Sequence, residues 1–401
     1  MNSAAAPPGR AHRGRPGLAE IVRKHGEVLR ASGTLTGTQD KALRAIERCR
    51  TPALGGQMLR CDDCGQAQLR YHSCRNRHCP KCQSLAKERW LAARRADLLP
   101  VPYFHLVFTL PEALRPLALG NPVTVYGLLF RAAARTLQQF GADPRWLGGQ
   151  IAATLVLHTW TQKLDYHPHV HALVAGGALA PDGHWVAARR GFLFPVYALS
   201  KLFRGKFLAG IEAALERGQF KLAGTTTELA DRPARRRWLA RLRAQDWVVY
   251  AKPALAGSEQ VLEYLARYTH KSALSNERIL NADDVSVRLS WRDRAHGNRR
   301  RILSLPAAQF LSRFTRHVLP EGFTRIRHIG LLASRHKRLR LAATREALNA
   351  PTPEPVTPES VEHYCLRVLG VDIHCCPDCG TGRLIFVRSL EPTIVQRPRP
   401  P

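Results

Sequence analysis

The stretch DYHPHVHALVAGGAL, residues 165–179, carries three histidines at alternate positions and runs into an apolar segment with a Gly-Gly pair. Alternate residues of a β-strand face the same side of a sheet, roughly 6.6 Å apart at two positions and roughly 13 Å apart at four. Neighbouring imidazoles can therefore share a metal ion, whereas the outer two cannot easily do so. Because Pro168 cannot donate a hydrogen bond to a sheet, we expect it to mark the strand entry. This leaves His169 and His171 as the better ligand pair, although a His-x-His pattern alone more often belongs to structural residues.

The sequence on either side of this stretch predicts an α+β fold. Segments rich in β-branched and aromatic residues predict strands at Tyr103–Leu110, Ala153–Trp160 and His169–Ala175, and the helical pattern of Pro122–Phe140 falls between the first two. Helices and strands alternate irregularly along the chain, which is typical of a central antiparallel sheet with flanking helices.

A pair of tyrosines lies further along the chain. The segment SEQVLEYLARYTHK, residues 258–271, predicts a helix in which Tyr264 and Tyr268 share one face. Two core tyrosines of an amphipathic helix would show the same spacing. Arg267 and Lys271 are sequence neighbours of this pair, however, and basic neighbours suit a surface that faces phosphate.

These residue types fit one reaction. A tyrosine hydroxyl can attack a DNA phosphodiester and form a covalent phosphotyrosine. A divalent ion held by two histidines would polarise the scissile phosphate and stabilise the charge that develops on it. Because the phosphotyrosine keeps the energy of the broken bond, rejoining needs no nucleotide cofactor, and two tyrosines allow two strand transfers in sequence.

The overall charge indicates the class of partner. The chain of 401 residues has 61 Lys and Arg residues against 31 Asp and Glu residues, a formal net charge of +30. A charge of this size favours a polyanionic partner, and nucleic acid is the first expectation. The chain has no run of about 18 apolar residues, so the sequence predicts no membrane span. The N-terminal segment MNSAAAPPGRAHRGRPG lacks the hydrophobic core of a signal peptide, so we expect a cytoplasmic protein.

The ten cysteines fall into two clusters, a distribution that indicates zinc rather than disulfides in a basic cytoplasmic protein. In the first cluster, Cys61-x₂-Cys64 and Cys79-x₂-Cys82 predict two knuckles around one tetrahedral Zn²⁺ ion. Further candidate ligands leave room for a permuted set or a second ion; they are Cys49, His72, Cys74 and His78.

The second cysteine cluster predicts only half of a site. Cys376-Pro-Asp-Cys379 is another knuckle, and it follows a Pro-rich segment at residues 351–358. The candidates to complete a second zinc site are Cys375, His374, Cys365 and His363.

Several basic residues are candidates for phosphate contacts. Arg75 and Arg77 lie within the first cysteine cluster, and together with Arg267 and Lys271 they form the predicted DNA-binding set. Three arginine-rich runs either line a DNA path or are ordinary solvated residues; these are Arg235–Arg237, Arg299–Arg301 and Arg335–Arg340.

Taken in order, these motifs resemble the insertion-sequence-91 family of transposases, two-tyrosine members of the His-hydrophobic-His nuclease superfamily. CRTPALGGQMLRCDDCG and SCRNRHCPKCQ are similar to the family's N-terminal zinc-binding domain, VPYFHLVFTLP and HPHVHALVAGGAL to its nuclease core, and EYLARYTHKSALSN to its tyrosine helix. The resemblance covers nearly the whole chain. It implies a bacterial DNA strand transferase and endonuclease that acts in rolling-circle-type transposition of a mobile element through single-stranded DNA.

The resemblance also implies roles for individual residues. His169 and His171 become ligands of a catalytic Mg²⁺ or Mn²⁺ ion, and Tyr264 and Tyr268 become the nucleophiles. Related nucleases have a third metal ligand, for which Gln260 is the first candidate because it lies one helical turn before Tyr264. Weaker candidates for the third ligand are Glu263 and Asp165.

The implied organisation has five parts. We expect a basic tail at 1–17, a helical and zinc-binding DNA-binding domain at 18–99, a His-hydrophobic-His nuclease domain at 100–345, a Pro-rich linker at 346–360 and a C-terminal CxxC module at 361–401. The expected partners are single-stranded element ends and target DNA, met at the bacterial nucleoid.

Two other functions fit parts of the same pattern. A zinc-dependent DNA-binding regulator would use the histidines and tyrosines only structurally, and a metal-dependent nuclease would attack with water rather than with tyrosine. A covalent protein–oligonucleotide adduct distinguishes the transferase from both.

Overall fold

The computed structural model describes most of the chain, in the ranges 15–189, 191–255, 260–261, 273–293, 296–354 and 359–393. Five residues singled out by the sequence lie outside these ranges, namely Glu263, Tyr264, Arg267, Tyr268 and Lys271. Of the predicted tyrosine helix, only Gln260 and Val261 belong to the described residues.

The chain divides into two compact units. The cysteine unit comprises the described residues of 1–89, 270–318 and 357–401, and the histidine unit comprises those of 90–269 and 319–356.

The α-helices of the described residues are α1 (Leu18–Ala31), α2 (Gly37–Glu47), α3 (Gln83–Arg95), α4 (Arg115–Gly120), α5 (Pro122–Ala142), α6 (Val196–Glu216), α7 (Arg232–Ala244), α8 (Ala307–Thr315), α9 (Lys337–Ala347) and α10 (Val361–Leu369). The β-strands are β1 (Gly56–Cys61), β2 (Ala67–Tyr71), β3 (Tyr103–Thr109), β4 (Gln150–Trp160), β5 (Tyr166–Leu179), β6 (Trp185–Ala187), β7 (Val249–Leu255), β8 (Ile279–Ala282), β9 (Ser286–Asp293), β10 (Arg299–Pro306), β11 (Ile326–Gly330) and β12 (Leu384–Leu390).

The histidine unit is built on one antiparallel sheet. Its strands follow the order β11-β4-β5-β3-β7, and the short β6 pairs with the second half of β5. The three predicted strands correspond to β3, β4 and β5, and the helix predicted between the first two is α5. The predicted α+β fold with a central antiparallel sheet is therefore confirmed.

The two faces of this sheet differ in what covers them. Val170 and Ala172 of β5 belong to the large core that forms where α5 and α6 pack on one face. The alternate residues of β5 point to the opposite face, where Leu173 and Ala175 form a smaller buried cluster with Val261. His169 and His171 share the side of Leu173 because they alternate with it, so we call this side the histidine face.

The Gly-Gly pair near the end of β5 allows neighbouring backbone to approach. A Cβ atom at Gly176 would lie 2.7 Å from the carbonyl oxygen of Pro102. At Gly177 a Cβ atom would lie 2.5 Å from the ring of Trp185, the first residue of β6. Only glycine fits at both positions, so the pair fixes how β6 meets the sheet.

The cysteine unit contains two small antiparallel sheets, with strand orders β12-β1-β2 and β10-β9-β8. Helix α1 packs against both α2 and α8. Its apolar stripe of Leu18, Ile21 and Val22 is fully buried, as is Phe310 of α8. These contacts bring residues near position 310 into the unit of the N-terminal helices.

The units differ from the predicted domain ranges in two respects. Strands β8 to β10 and α8 fall within the predicted nuclease domain at 100–345, but they cluster with the N-terminal helices. The predicted C-terminal module at 361–401 is joined to the N-terminal domain because β12 pairs with β1. Both differences arise from pairings between distant segments, which a reading along the chain does not show.

Candidate metal centres

Three histidines converge on the histidine face. His158 of β4 and His169 of β5 are direct cross-strand partners, and His171 lies two residues further along β5. One ring nitrogen from each of the three lies within 4.8 Å of those of the other two. The pairing of β4 with β5 holds these side chains together, because His158 lies opposite His169 in the antiparallel register.

Hydrogen bonds orient the two histidines of β5. The Nδ1 atom of His169 is 2.7 Å from the carbonyl oxygen of His167, so it donates there and leaves Nε2 as the ligand atom. The Nδ1 atom of His171 is 2.8 Å from Nε2 of His105, which lies on β3. The two Nε2 atoms of His169 and His171 then face each other at 3.1 Å. Nitrogens bound to one ion at about 2.1 Å are separated by roughly 3.0–3.4 Å, so the pair fits a shared metal.

The electrostatic setting keeps His105 and His169 neutral. Burial, reinforced by the charge of Lys252, lowers the pKa of His105 to about 3. Burial also lowers the pKa of His169 to about 4, although part of its surface remains exposed. A neutral imidazole is the form that ligates a metal, so at neutral pH no proton competes with the ion.

Among the described residues, the third side chain beside the predicted pair is His158 rather than Asp165. Asp165 instead accepts a hydrogen bond from the Thr161 hydroxyl at 3.2 Å, in the turn that joins β4 to β5. Gln260, the first candidate from the sequence, is exposed. His158 falls within a predicted strand, but only the register between β4 and β5 could have identified it.

A second kind of centre lies in the cysteine unit. Cys49, Cys74, Cys79 and Cys82 place their four sulfurs within 4.8 Å of one another. The sulfur of Cys82 is 3.5 Å from that of Cys49 and 3.6 Å from that of Cys74. Ligands at about 2.3 Å from a tetrahedral zinc ion are about 3.8 Å apart, so these side chains have the spacing of a structural zinc site.

The predicted single zinc site at Cys61, Cys64, Cys79 and Cys82 is corrected by this arrangement. The β1–β2 hairpin separates the two pairs: Gly56 pairs with Tyr71 at its base, and Arg60 pairs with Ala67 near its tip. Five residue steps along β1 span about 17 Å, too far for one ion. Cys61 and Cys64 lie at the tip, whereas Cys49, Cys74, Cys79 and Cys82 gather at the base. Cys74, an alternative ligand from the sequence, is thus part of the group.

The predicted DNA-binding arginines of this region differ in exposure. Arg75 is exposed and adopts a positive φ of 52°. Arg77 is half-buried, and burial lowers the pKa of its guanidinium. Their contact with DNA stays a prediction, as does that of Arg267 and Lys271.

The fold brings together two kinds of candidate metal centre: cysteine thiols in one unit and imidazoles on the sheet of the other. Residues 152–340 match the family model described as "Putative transposase", and residues 21–110 match the one described as "Transposase zinc-binding domain". The latter range contains Cys49, Cys74, Cys79 and Cys82, which supports a structural zinc ion as the metal that these cysteines would bind.

Two relatives extend over almost the whole chain. The chain is 46% identical to "Putative transposase y4qJ" of Sinorhizobium fredii (strain NBRC 101917 / NGR234), over 94% of this chain and 96% of that protein. It is 27% identical to "Transposase for insertion sequence element IS801" of Pseudomonas savastanoi pv. phaseolicola, over 92% of this chain and 88% of that protein. The chain therefore belongs to the insertion-sequence-91 family of transposases.

Solved structures add little to this assignment. The metal-bound complex of the conjugative relaxase TrwC with OriT DNA overlaps 42% of this chain and 74% of its own, with 15% identity and a TM-score of 0.23. A complex of the same relaxase with mutant OriT DNA has a TM-score of 0.22, with 17% identity over 62% and 75% of the two chains. Scores this low do not support a detailed comparison.

Within the described residues, no helix is long and apolar enough to cross a membrane.

Proposed function

We propose that the protein nicks and rejoins single-stranded DNA at the ends of a mobile element, through a covalent phosphotyrosine intermediate and with a divalent metal held by His158, His169 and His171. The observation that carries this proposal is the convergence of the three imidazoles on the histidine face. The three side chains lie on the face of the sheet opposite the large core, and their ring nitrogens converge there.

The chain's own residues would hold the ion through three nitrogens. His169 and His171 would bind through Nε2, because the His167 carbonyl and His105 occupy their Nδ1 atoms. Imidazole ligands suit Mn²⁺ better than Mg²⁺, which prefers oxygen. When bound, the ion would polarise the scissile phosphate and stabilise its developing negative charge.

The nucleophiles proposed from the sequence are Tyr264 and Tyr268. Val261, three residues before the first of them, is buried against Leu173 and Ala175 on the histidine face. The described start of the tyrosine segment is thus on the same side of the sheet as the metal ligands, which supports an active site there. In the reaction, the bond from the tyrosine oxygen to phosphorus forms as a phosphorus–oxygen bond of the DNA backbone breaks. The freed DNA hydroxyl can later reverse the exchange.

The charge of the chain supports DNA as the substrate. Helix α7 presents a row of arginines, of which Arg236, Arg237 and Arg241 are exposed. With a formal net charge of +30, the chain can neutralise many phosphates, so we expect binding to weaken steeply as salt rises.

The test is the formation of a covalent adduct. The full-length protein is incubated with labelled single-stranded element ends and Mn²⁺, and adducts are resolved on denaturing gels. We expect Tyr264→Phe with Tyr268→Phe to abolish the adduct while DNA binding persists. Tyr197→Phe is the matched control, because Tyr197 is an exposed tyrosine on α6 that packs beside Lys201.

The other functions predict different results. Cleavage without any adduct would show a hydrolytic nuclease that attacks with water. Binding without cleavage, at true element ends and with metal present, would show a regulator. Undiminished adduct in the double tyrosine variant would overturn the choice of nucleophiles.

A further inference from the structure

We infer that the hairpin tip and the C-terminal knuckle together bind a second structural zinc ion, with Cys61, Cys64, Cys376 and Cys379 as its four ligands. The matched zinc-binding model ends at residue 110, so half of this ligand set lies outside it. The site concerns the folding of the cysteine unit, and it stands independently of the proposed strand transfer.

The distances between sulfurs fit a tetrathiolate site. The Sγ atoms of Cys61 and Cys379 are 3.7 Å apart, those of Cys64 and Cys376 are 3.8 Å apart, and all four lie within 4.8 Å of one another. A tetrahedral zinc ion with bonds of about 2.3 Å places its sulfurs about 3.8 Å apart. Thiolates also favour zinc over hard cations such as Mg²⁺.

The two CxxC segments make the same turn. The backbone N–H of Gly65 donates to the carbonyl of Cys61 at 3.2 Å, and that of Gly380 donates to the carbonyl of Cys376 at 3.0 Å. The glycines have φ values of 73° and 76°, in the region that other residues seldom adopt. Each turn aims its two cysteines to one side, and the two turns face each other.

Polar contacts between the turns set their distance. The hydroxyl of Thr381 donates to the carboxylate of Asp63 at 2.6 Å, and the backbone N–H of Arg383 donates to the carboxylate of Asp62 at 2.7 Å. A side chain at Gly382 would lie within 2.3 Å of the Cys61 sulfur, so the approach requires glycine there. These contacts join segments from the two ends of the sequence.

Hydrophobic burial alone gives this sheet little stability. The buried cluster at its end consists, among the described residues, of Leu59, Leu384 and the two ligands Cys61 and Cys376. Strand β12 leaves Phe386 and its neighbours more than two-fifths exposed; these are Ile385 and Val387. Small sheets with so little core commonly depend on a metal, and the four sulfurs lie where one would act.

Zinc content tests the inference in the full-length protein, purified under reducing conditions and measured by mass spectrometry of the metal. We expect Cys376→Ser with Cys379→Ser to lose one equivalent of zinc relative to the wild type. Cys61→Ser with Cys64→Ser should lose one equivalent as well. The variant with all four substitutions should still lose only one equivalent of zinc, because the two pairs share an ion. Each loss is measured relative to the wild type, so any zinc bound at the histidines cancels.

Matched controls come from the same segment. Cys375→Ser and Cys365→Ser remove cysteines of the C-terminal cluster that lie outside the group of four, so they should keep the wild-type zinc content. Cys64→His should also keep it, because Cys64 is exposed and an imidazole can replace its thiolate. Cys64→His changes the side chain but keeps a metal-binding group, so a zinc content equal to that of the wild type would show that substitution at this position does not by itself unfold the site.

Two outcomes would overturn the inference. One is an unchanged zinc content when Cys376 and Cys379 are both serine. The other is a loss of two equivalents when all four cysteines are replaced, which would mean that the two pairs do not share one ion.

Discussion

The histidine centre and the cysteine centres are assembled in opposite ways. His158, His169 and His171 come from two strands joined by a short turn, and all three face one side of one sheet. The second cysteine group instead joins residues 318 positions apart in the sequence, Cys61 and Cys379. A strand displays its alternate residues whatever else the chain does, whereas a knuckle needs a partner from elsewhere.

The two kinds of centre should therefore respond differently to loss of their ligands. The sheet of the histidine unit packs on a large core, so we do not expect it to need a metal to fold. Around the cysteine group at the hairpin tip, the buried apolar cluster of the described residues is small. We therefore expect loss of function at one kind of centre and loss of structure at the other.

The largest expected effect is on stability, from the cysteine group at the hairpin base. Cys79 is fully buried, so Cys79→Ser should release zinc and lower the free energy of unfolding of the cysteine unit by about 3 kcal/mol or more. Thermal unfolding followed by circular dichroism measures this. His169→Ala with His171→Ala should leave the same transition within a few degrees. Equal losses in the two variants would contradict the distinction between the centres.

The next effect is on metal-dependent cleavage, from His158, the proposed ligand that the sequence did not reveal. His158→Ala should reduce Mn²⁺-dependent adduct formation by about 100-fold or more, because a buried ligand is lost. His328→Ala is the matched control, since His328 lies in the same sheet and outside the group of three. If both variants lose the same activity, His158 acts through the fold and not through the ion.

A smaller effect is expected from His105, which positions His171 through a 2.8 Å hydrogen bond. His105→Phe should weaken Mn²⁺ affinity by about 10-fold to 100-fold, because the ligand ring loses the partner that fixes its tautomer. Calorimetric titration of Mn²⁺ measures the affinity. His105→Gln, which keeps a polar partner, should recover part of it. An unchanged affinity in the phenylalanine variant would remove His105 from the site.

The smallest effect is a pH dependence of stability. Burial and the charge of Arg94 lower the pKa of His328 to about 4, with Lys337 acting in the same direction and Asp97 against it. In the unfolded chain a histidine titrates near 6.5, so the unfolded state binds more protons between these values. The stability from neutral His328 is therefore present above about pH 6.5 and is lost as the pH falls towards 4.

Chemical unfolding at two pH values measures this contribution. Between pH 7.5 and pH 5.5, the wild type should lose about 1 kcal/mol more than His328→Gln, in which the titrating group is absent. Comparison with the variant cancels the pH dependence of zinc binding by the cysteines. An equal loss in both proteins would mean that His328 titrates normally in the fold.

Much of the histidine unit could be predicted from the sequence. The predicted strands at Tyr103–Leu110 and Ala153–Trp160 match β3 and β4, since β-branched and aromatic residues define a strand locally. The pair His169 and His171 followed from alternation within one strand. His158 did not follow, because its position opposite His169 depends on the register between the strands, which the turn at 161–165 sets and the pattern of either strand does not show.

The sequence is enough to predict the main elements of the histidine unit, the two types of candidate metal ligand and the family. These properties depend on residue types and on spacings within a few residues, where chain geometry allows few alternatives. The folded structure is needed to see which knuckles lie together and which histidine lies beside the predicted pair. Cys61 meets Cys379, and not the nearer Cys82, because β12 pairs with β1 and the hairpin carries its tip away from its base. Pairing between distant segments is determined by the folded chain as a whole, so no spacing along the sequence could show it.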